Sequence, residues 1–180
     1  MSANETATPN TGSDERADFV EALGKQRHFL RFTTRDLTDE QAGRRTTESA
    51  LCLGGLIKHV TSVERNWAGF IVEGVAAMPD FSKMTEADFA KRADEFRMLP
   101  GETLAGVLDA YEKVAADTDE LVASLPDLGA AHALPKAPWF EEDAKWSARR
   151  VLMHIIAETA QHAGHADIIR ESLDGAKSMG

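Results

Sequence analysis

The chain has 180 residues, with 20 Lys plus Arg against 30 Asp plus Glu and a formal charge of -10, a balance that repels nucleic acid and anionic membrane and excludes both as expected partners. No apolar run approaches the ~18 residues that would span a bilayer, and the opening MSANETATPNTGSDER has neither the basic nor the apolar region of a secretory signal, so a cytoplasmic protein is expected. The length suits one core of ordinary size, and the single Cys52 excludes an internal disulfide and reads as a small buried apolar residue.

Residues 1–13 are polar and carry almost no apolar side chains, so they read as a flexible tail. From Asp14 to about Arg35, Phe19, Val20, Leu23, Leu30 and Phe32 mark a first helix with Asp14 or Ser13 as its cap. His28 in that helix reads as a surface or half-buried histidine. Asp36 to Ala50 reads as a loop with a short turn starting at Thr38. The second long helix runs from about Leu53 to Glu73 on a stripe of Leu56, Val60, Val63, Trp67, Phe70 and Ile71. Gly54 and Gly55 near its start cost helix propensity but permit close backbone contact. His59 falls on the buried face, whereas Glu64 and Arg65 lie elsewhere.

Residues 74–101 read as a long connection with a short helix from about Thr85 to Phe96, and a connection of that length usually covers or shapes something. A third helix spans about Glu102 to Leu125, with Leu104, Val107, Leu108, Tyr111, Val114, Ala115, Thr118, Leu121 and Val122 on one face and a solvated charged face opposite. Residues 126–145, with Pro135, Pro138 and Trp139, read as another irregular connection in which His132 has no role. Trp139 and Trp146 either pack on the core or line a pocket. No strand pattern and no internal repeat appears.

The fourth helix begins after Ser147 as N-cap and ends near Gly175, with Val151, Leu152, Ile155, Ile156, Ala163, Ile168 and Ile169 as its apolar stripe. Residues 176–180 read as a frayed end, and Asp167, Arg170 and Glu171 as surface pairs, with Arg170 a candidate for an anionic substrate. Four long amphipathic helices with three substantial loops predict an all-α four-helix bundle over residues 14–175.

Three of the six histidines lie in this last helix. Glu158 and His162 are four residues apart and share a face beside the apolar stripe. Burying them costs several kcal/mol unless each finds a partner, so either a metal ion or a hydrogen-bond network is expected there. If the second and fourth helices adjoin, His59, Glu158 and His162 give three protein ligands. Structural zinc takes four, whereas a catalytic zinc keeps a position open; two histidines and a carboxylate also suit non-haem iron. His154 and His165 sit one turn to either side and could reach the same face, but three consecutive contributors from a straight helix strain one ion's coordination sphere, so both read as pocket residues or partners of the ligands.

The stretches LGGLIKHVTSVERNW and HIIAETAQHAGHADIIRE resemble the DinB/YfiT-like superfamily of metal-binding four-helix bundles, over roughly residues 14–173. They are closest to an actinobacterial branch that includes mycothiol-dependent maleylpyruvate isomerase and thiol S-transferases using mycothiol or bacillithiol. The resemblance implies a metal set of one histidine on the second helix and a pair four apart on the fourth, here His59, Glu158 and His162. Glu158 stands where much of the superfamily has histidine, as in the mycothiol-dependent isomerase branch. That departure implies a low-molecular-weight thiol as cosubstrate, while without a second domain like that isomerase's, maleylpyruvate isomerisation itself is not expected.

The expectation is therefore an enzyme holding a divalent metal, zinc first with nickel or iron as alternatives, and using a mycothiol-like thiol as cosubstrate against a small electrophile. No serine–histidine–aspartate arrangement competes with it. The alternatives are a non-catalytic metal-binding stress protein and a metal-dependent hydrolase with bound water as nucleophile. A homodimer is expected in either case.

Overall fold

A computed structural model describes residues 14–80 and 83–178; the 1–13 tail expected from the sequence lies outside the described residues. The elements are α1 (Glu15–Phe32), α2 (Asp39–Gly43), α3 (Leu53–Glu73), a 3-10 turn (Gly74–Ala77), α4 (Glu86–Asp94), α5 (Leu104–Ser124), β1 (Ala131–Ala133), β2 (Lys145–Ser147) and α6 (Ala148–Asp174). The long helices α1, α3, α5 and α6 form the bundle, with α1 against α6 and α5, and α3 against α5 and α6. Their order around the bundle is therefore α1, α6, α3, α5, which makes α3 and α6 direct neighbours.

Local chemistry sets the helix ends. The Asp14 carboxylate accepts from the Arg16 amide at the start of α1. Thr38 and Thr85 each form a capping box, with Gln41 on α2 and Asp88 on α4. Ser147 accepts from the Arg150 amide to start α6, and Gly175 ends it in the left-handed region at φ 80°. Each side-chain cap contributes ~1 kcal/mol, enough to place a boundary.

The core has two apolar clusters. One is built on Leu23, Trp67, Phe70, Val122, Leu152 and Ile155. The other is built on Leu30, Leu56, Val60, Tyr111, Ala163 and Ile169. Each of the larger aliphatic or aromatic side chains contributes ~1.5–3 kcal/mol on burial. Among the apolar side chains the long helices also bury polar residues, with Arg27 on α1, Glu64 on α3, Thr118 on α5 and Thr159 on α6 among them. The two threonines return their hydroxyl protons to Val114 and Ile155 carbonyls, while Arg27 and Glu64 satisfy one another.

Several expectations need correction. Residues 131–133 and 145–147 pair as an antiparallel two-stranded ladder, with His132 opposite Trp146; at three residues each, the strands are shorter than any alternation a sequence can display. Ile168, placed on the apolar stripe, is 63% exposed. Glu64, placed off the buried face, is fully buried. Arg170 is no surface residue: its guanidinium is buried and donates to the Thr33 and Arg35 carbonyls and to Asp174. It joins α6 to the end of α1 instead of facing an anionic substrate.

Candidate metal centre

The α3–α6 contact brings the expected ligand residues together. His59 on α3 and Glu158 and His162 on α6 present one donor atom each within 4.8 Å of one another. The His59 and His162 rings meet edge to face, with centroids 4.8 Å apart. Glu158 lies 3.8 Å from His162 Nε2 and 3.9 Å from His154 Nε2, beyond hydrogen-bond length in both cases. The three groups thus face one spot without hydrogen bonding across it. Atoms at most 4.8 Å apart share a point within about 2.8 Å of each, so zinc bonds of about 2.0–2.2 Å require each donor to close by less than an ångström. Two imidazoles and a carboxylate at that separation fit a divalent cation with a position left for another ligand.

The electrostatics suit metal binding. Burial, followed by the neighbouring His59 and His165, lowers His162 to about 4, so its imidazole is neutral and able to donate a lone pair near neutral pH. Burial also lowers His154, more than the nearby Glu158 raises it. His154 lies outside the three-residue set and sits edge-on to Trp67 and Trp146. His165 likewise lies outside it, its Nδ1 3.5 Å from His162 Nδ1.

A cavity of about 340 Å³ opens beside the donors. His59, His154 and Glu158 contribute to its wall, and Trp67, Trp139 and Phe140 give it aromatic surface. The two tryptophans of the 126–146 stretch divide the roles foreseen for them: Trp146 stacks on Trp67 at 4.9 Å, against the core, while Trp139 is 62% exposed and lines the cavity. A larger groove of about 930 Å³ runs between α1 and α5 and is lined by none of the donor residues.

Sequence reasoning missed Glu95. Its carboxylate lies 3.4 Å from His59 Nδ1 and accepts from the Ser62 hydroxyl at 3.0 Å. It caps the end of α4, at the close of the short helix foreseen to Phe96, where spacing gives it no buried face; the hint was Gly54–Gly55, whose smallness anticipates a backbone packed on α3. The remaining candidates lie elsewhere. His28 stacks on Phe32 in α1, His132 donates to the Ile71 carbonyl, and the buried Cys52 thiol points at the Phe96 carbonyl.

Residues 18–175 match the family described as mycothiol-S-transferase, which agrees with the resemblance read from the α3 and α6 stretches. No curated protein matches the chain. Among the described residues no helix is long and apolar enough to cross a membrane.

Proposed function

The chain belongs to the mycothiol-S-transferase family, and from that premise we propose that it is a divalent-metal enzyme that transfers a mycothiol-like thiol to a small electrophile. The supporting observation is the convergence of His59, Glu158 and His162 from two neighbouring helices beside an aromatic-walled cavity. These three residues are the proposed ligands and zinc the proposed ion, with nickel and iron as alternatives for the same donor set.

A dication held by two neutral imidazoles and one carboxylate keeps a net charge near +1 and would lower the pKa of a thiol brought to it. The residues of the chain do the rest. Trp67, Trp139 and Phe140 supply the apolar surface that binds the electrophile and excludes water. His154, kept neutral by burial, is a base on the cavity wall able to receive the thiol proton. In the transfer the sulfur loses that proton and bonds to the electrophilic carbon. The displaced electron pair departs with a leaving group or takes up a proton. No protein nucleophile is needed, consistent with a single cysteine that is buried and lies outside the donor set.

The test is to load the purified protein with zinc, add mycothiol and a panel of small electrophiles, and follow conjugates by mass spectrometry. Thiol-dependent conjugate formation that disappears in His59→Ala supports the reading. Hydrolysis of an ester or amide without thiol, or no turnover with any pair, contradicts it.

A further inference from the structure

Residues 94–102 leave α4 without regular structure yet lie against α3 more closely than a covering loop requires. A Cβ on Gly55 would come within 2.1 Å of the Phe96 carbonyl oxygen and 2.7 Å of the Arg97 nitrogen. At Gly54 it would meet Met98 Sδ at 2.4 Å. One turn further on, the Lys58 ammonium donates to the carbonyls of Asp94 at 3.1 Å and Arg97 at 2.9 Å, and pairs with Glu102 at 2.7 Å. Glu102 in turn accepts from the Leu99 amide at 2.7 Å. Backbone contact, a charged clamp and a returning carboxylate together leave the segment one seat.

That seat delivers two side chains to His59. The Phe96 ring stacks on the imidazole at 4.2 Å and 28°. The Glu95 carboxylate faces Nδ1, with its second oxygen bound to the Ser62 hydroxyl.

We infer that Glu95 is the positioning residue for His59: its carboxylate accepts a hydrogen bond from Nδ1–H and so turns the Nε2 lone pair toward Glu158 and His162, while Gly54, Gly55 and Lys58 exist to seat the segment that carries it. The inference rests on the reading of His59 as a ligand given above. A neutral imidazole has one donor and one acceptor nitrogen, so a carboxylate oxygen accepting at one ring nitrogen fixes which tautomer is present and where the other points. Phe96 removes the remaining freedom of the ring by stacking. Such a carboxylate behind a ligand histidine also makes the ligand more basic, and its loss costs about 10- to 100-fold in metal affinity.

The test uses the full chain and two readouts. Zinc affinity is measured by competition with a chromophoric chelator. The His59 tautomer is measured by nitrogen chemical shifts in metal-free protein, at a pH where imidazoles are neutral. Glu95→Ala is expected to weaken zinc binding by about 10- to 100-fold and to shift His59 away from the Nδ1–H form. Glu95→Gln keeps an acceptor and loses less. Gly55→Ala, which touches no ligand, reproduces the loss because its methyl group displaces the 96–97 backbone. Gly54→Ala does so less, because the Met98 side chain can move aside. Wild-type zinc affinity in Glu95→Ala, or an Nε2–H tautomer for His59 in the wild type, overturns the inference. If the wild type binds no zinc, the ligand reading fails instead, and the tautomer still decides whether Glu95 holds His59. Should Gly55→Ala fail to fold, the two Glu95 variants carry the test alone.

Discussion

Arg27 of α1 and Glu64 of α3 form a buried two-pronged ion pair, with bonds of 2.5 and 3.2 Å and side-chain exposures of 6% and 0%. The second Arg27 branch reaches Asp119 of α5 at 2.8 Å, so one guanidinium ties three helices together. Pairs of this kind add little net stability over an apolar packing, but removing one partner leaves an uncompensated charge.

Glu64→Ala should therefore destabilise the protein by about 3–5 kcal/mol, measured as a shift of the denaturant midpoint. Asp119→Ala, whose carboxylate is partly exposed, should cost no more than about 1 kcal/mol. Equal losses in the two variants would show that the Arg27–Glu64 pair carries no special weight.

The metal-free protein should lose stability as pH falls from about 6.5 to about 4. Burial and the neighbouring His59 and His165 hold His162 down at about 4, against an ordinary imidazole value of 6.5. In that window the unfolded chain binds a proton that the folded chain does not, so acid favours unfolding. His154 is shifted the same way by its burial and adds to the slope. His162→Gln should flatten the profile; an unchanged slope in that variant would assign the pH dependence to other groups.

Trp139→Ala should raise the KM for the electrophile several-fold and leave the melting temperature nearly unchanged, because this side chain lines the cavity while remaining 62% exposed. Trp67→Ala, at a site only 8% exposed within the core, should instead cost about 3–5 kcal/mol of stability. Steady-state kinetics and thermal melts on the same preparations separate the two roles.

The bundle was legible because its signals are repetitive. The α5 stripe of Leu104, Val107, Tyr111, Val114, Thr118 and Val122 is buried as its spacing implies, and Ser147 and Gly175 bound α6 as a capping serine and a left-handed glycine should. The convergence of His59 with Glu158 and His162 was legible as a condition on which helices adjoin, and the α3–α6 contact meets it. Other features depend on tertiary pairing that leaves no period. Glu64 is buried because Arg27 is there to meet it, and Arg170 because the end of α1 offers it two carbonyls. Glu95 reaches His59 only because a segment far along the chain is seated on two glycines.

The most direct measurement of the central claim is X-ray absorption at the zinc edge, with metal stoichiometry, on the wild type and on His59→Ala, Glu158→Ala and His162→Ala. One zinc per chain is expected in the wild type, with two imidazole nitrogens and one carboxylate oxygen in its shell, and loss of the ion or of the corresponding scatterer in each variant. A wild type that takes up no divalent metal, or a zinc shell that is the same in all three variants, would contradict the claim.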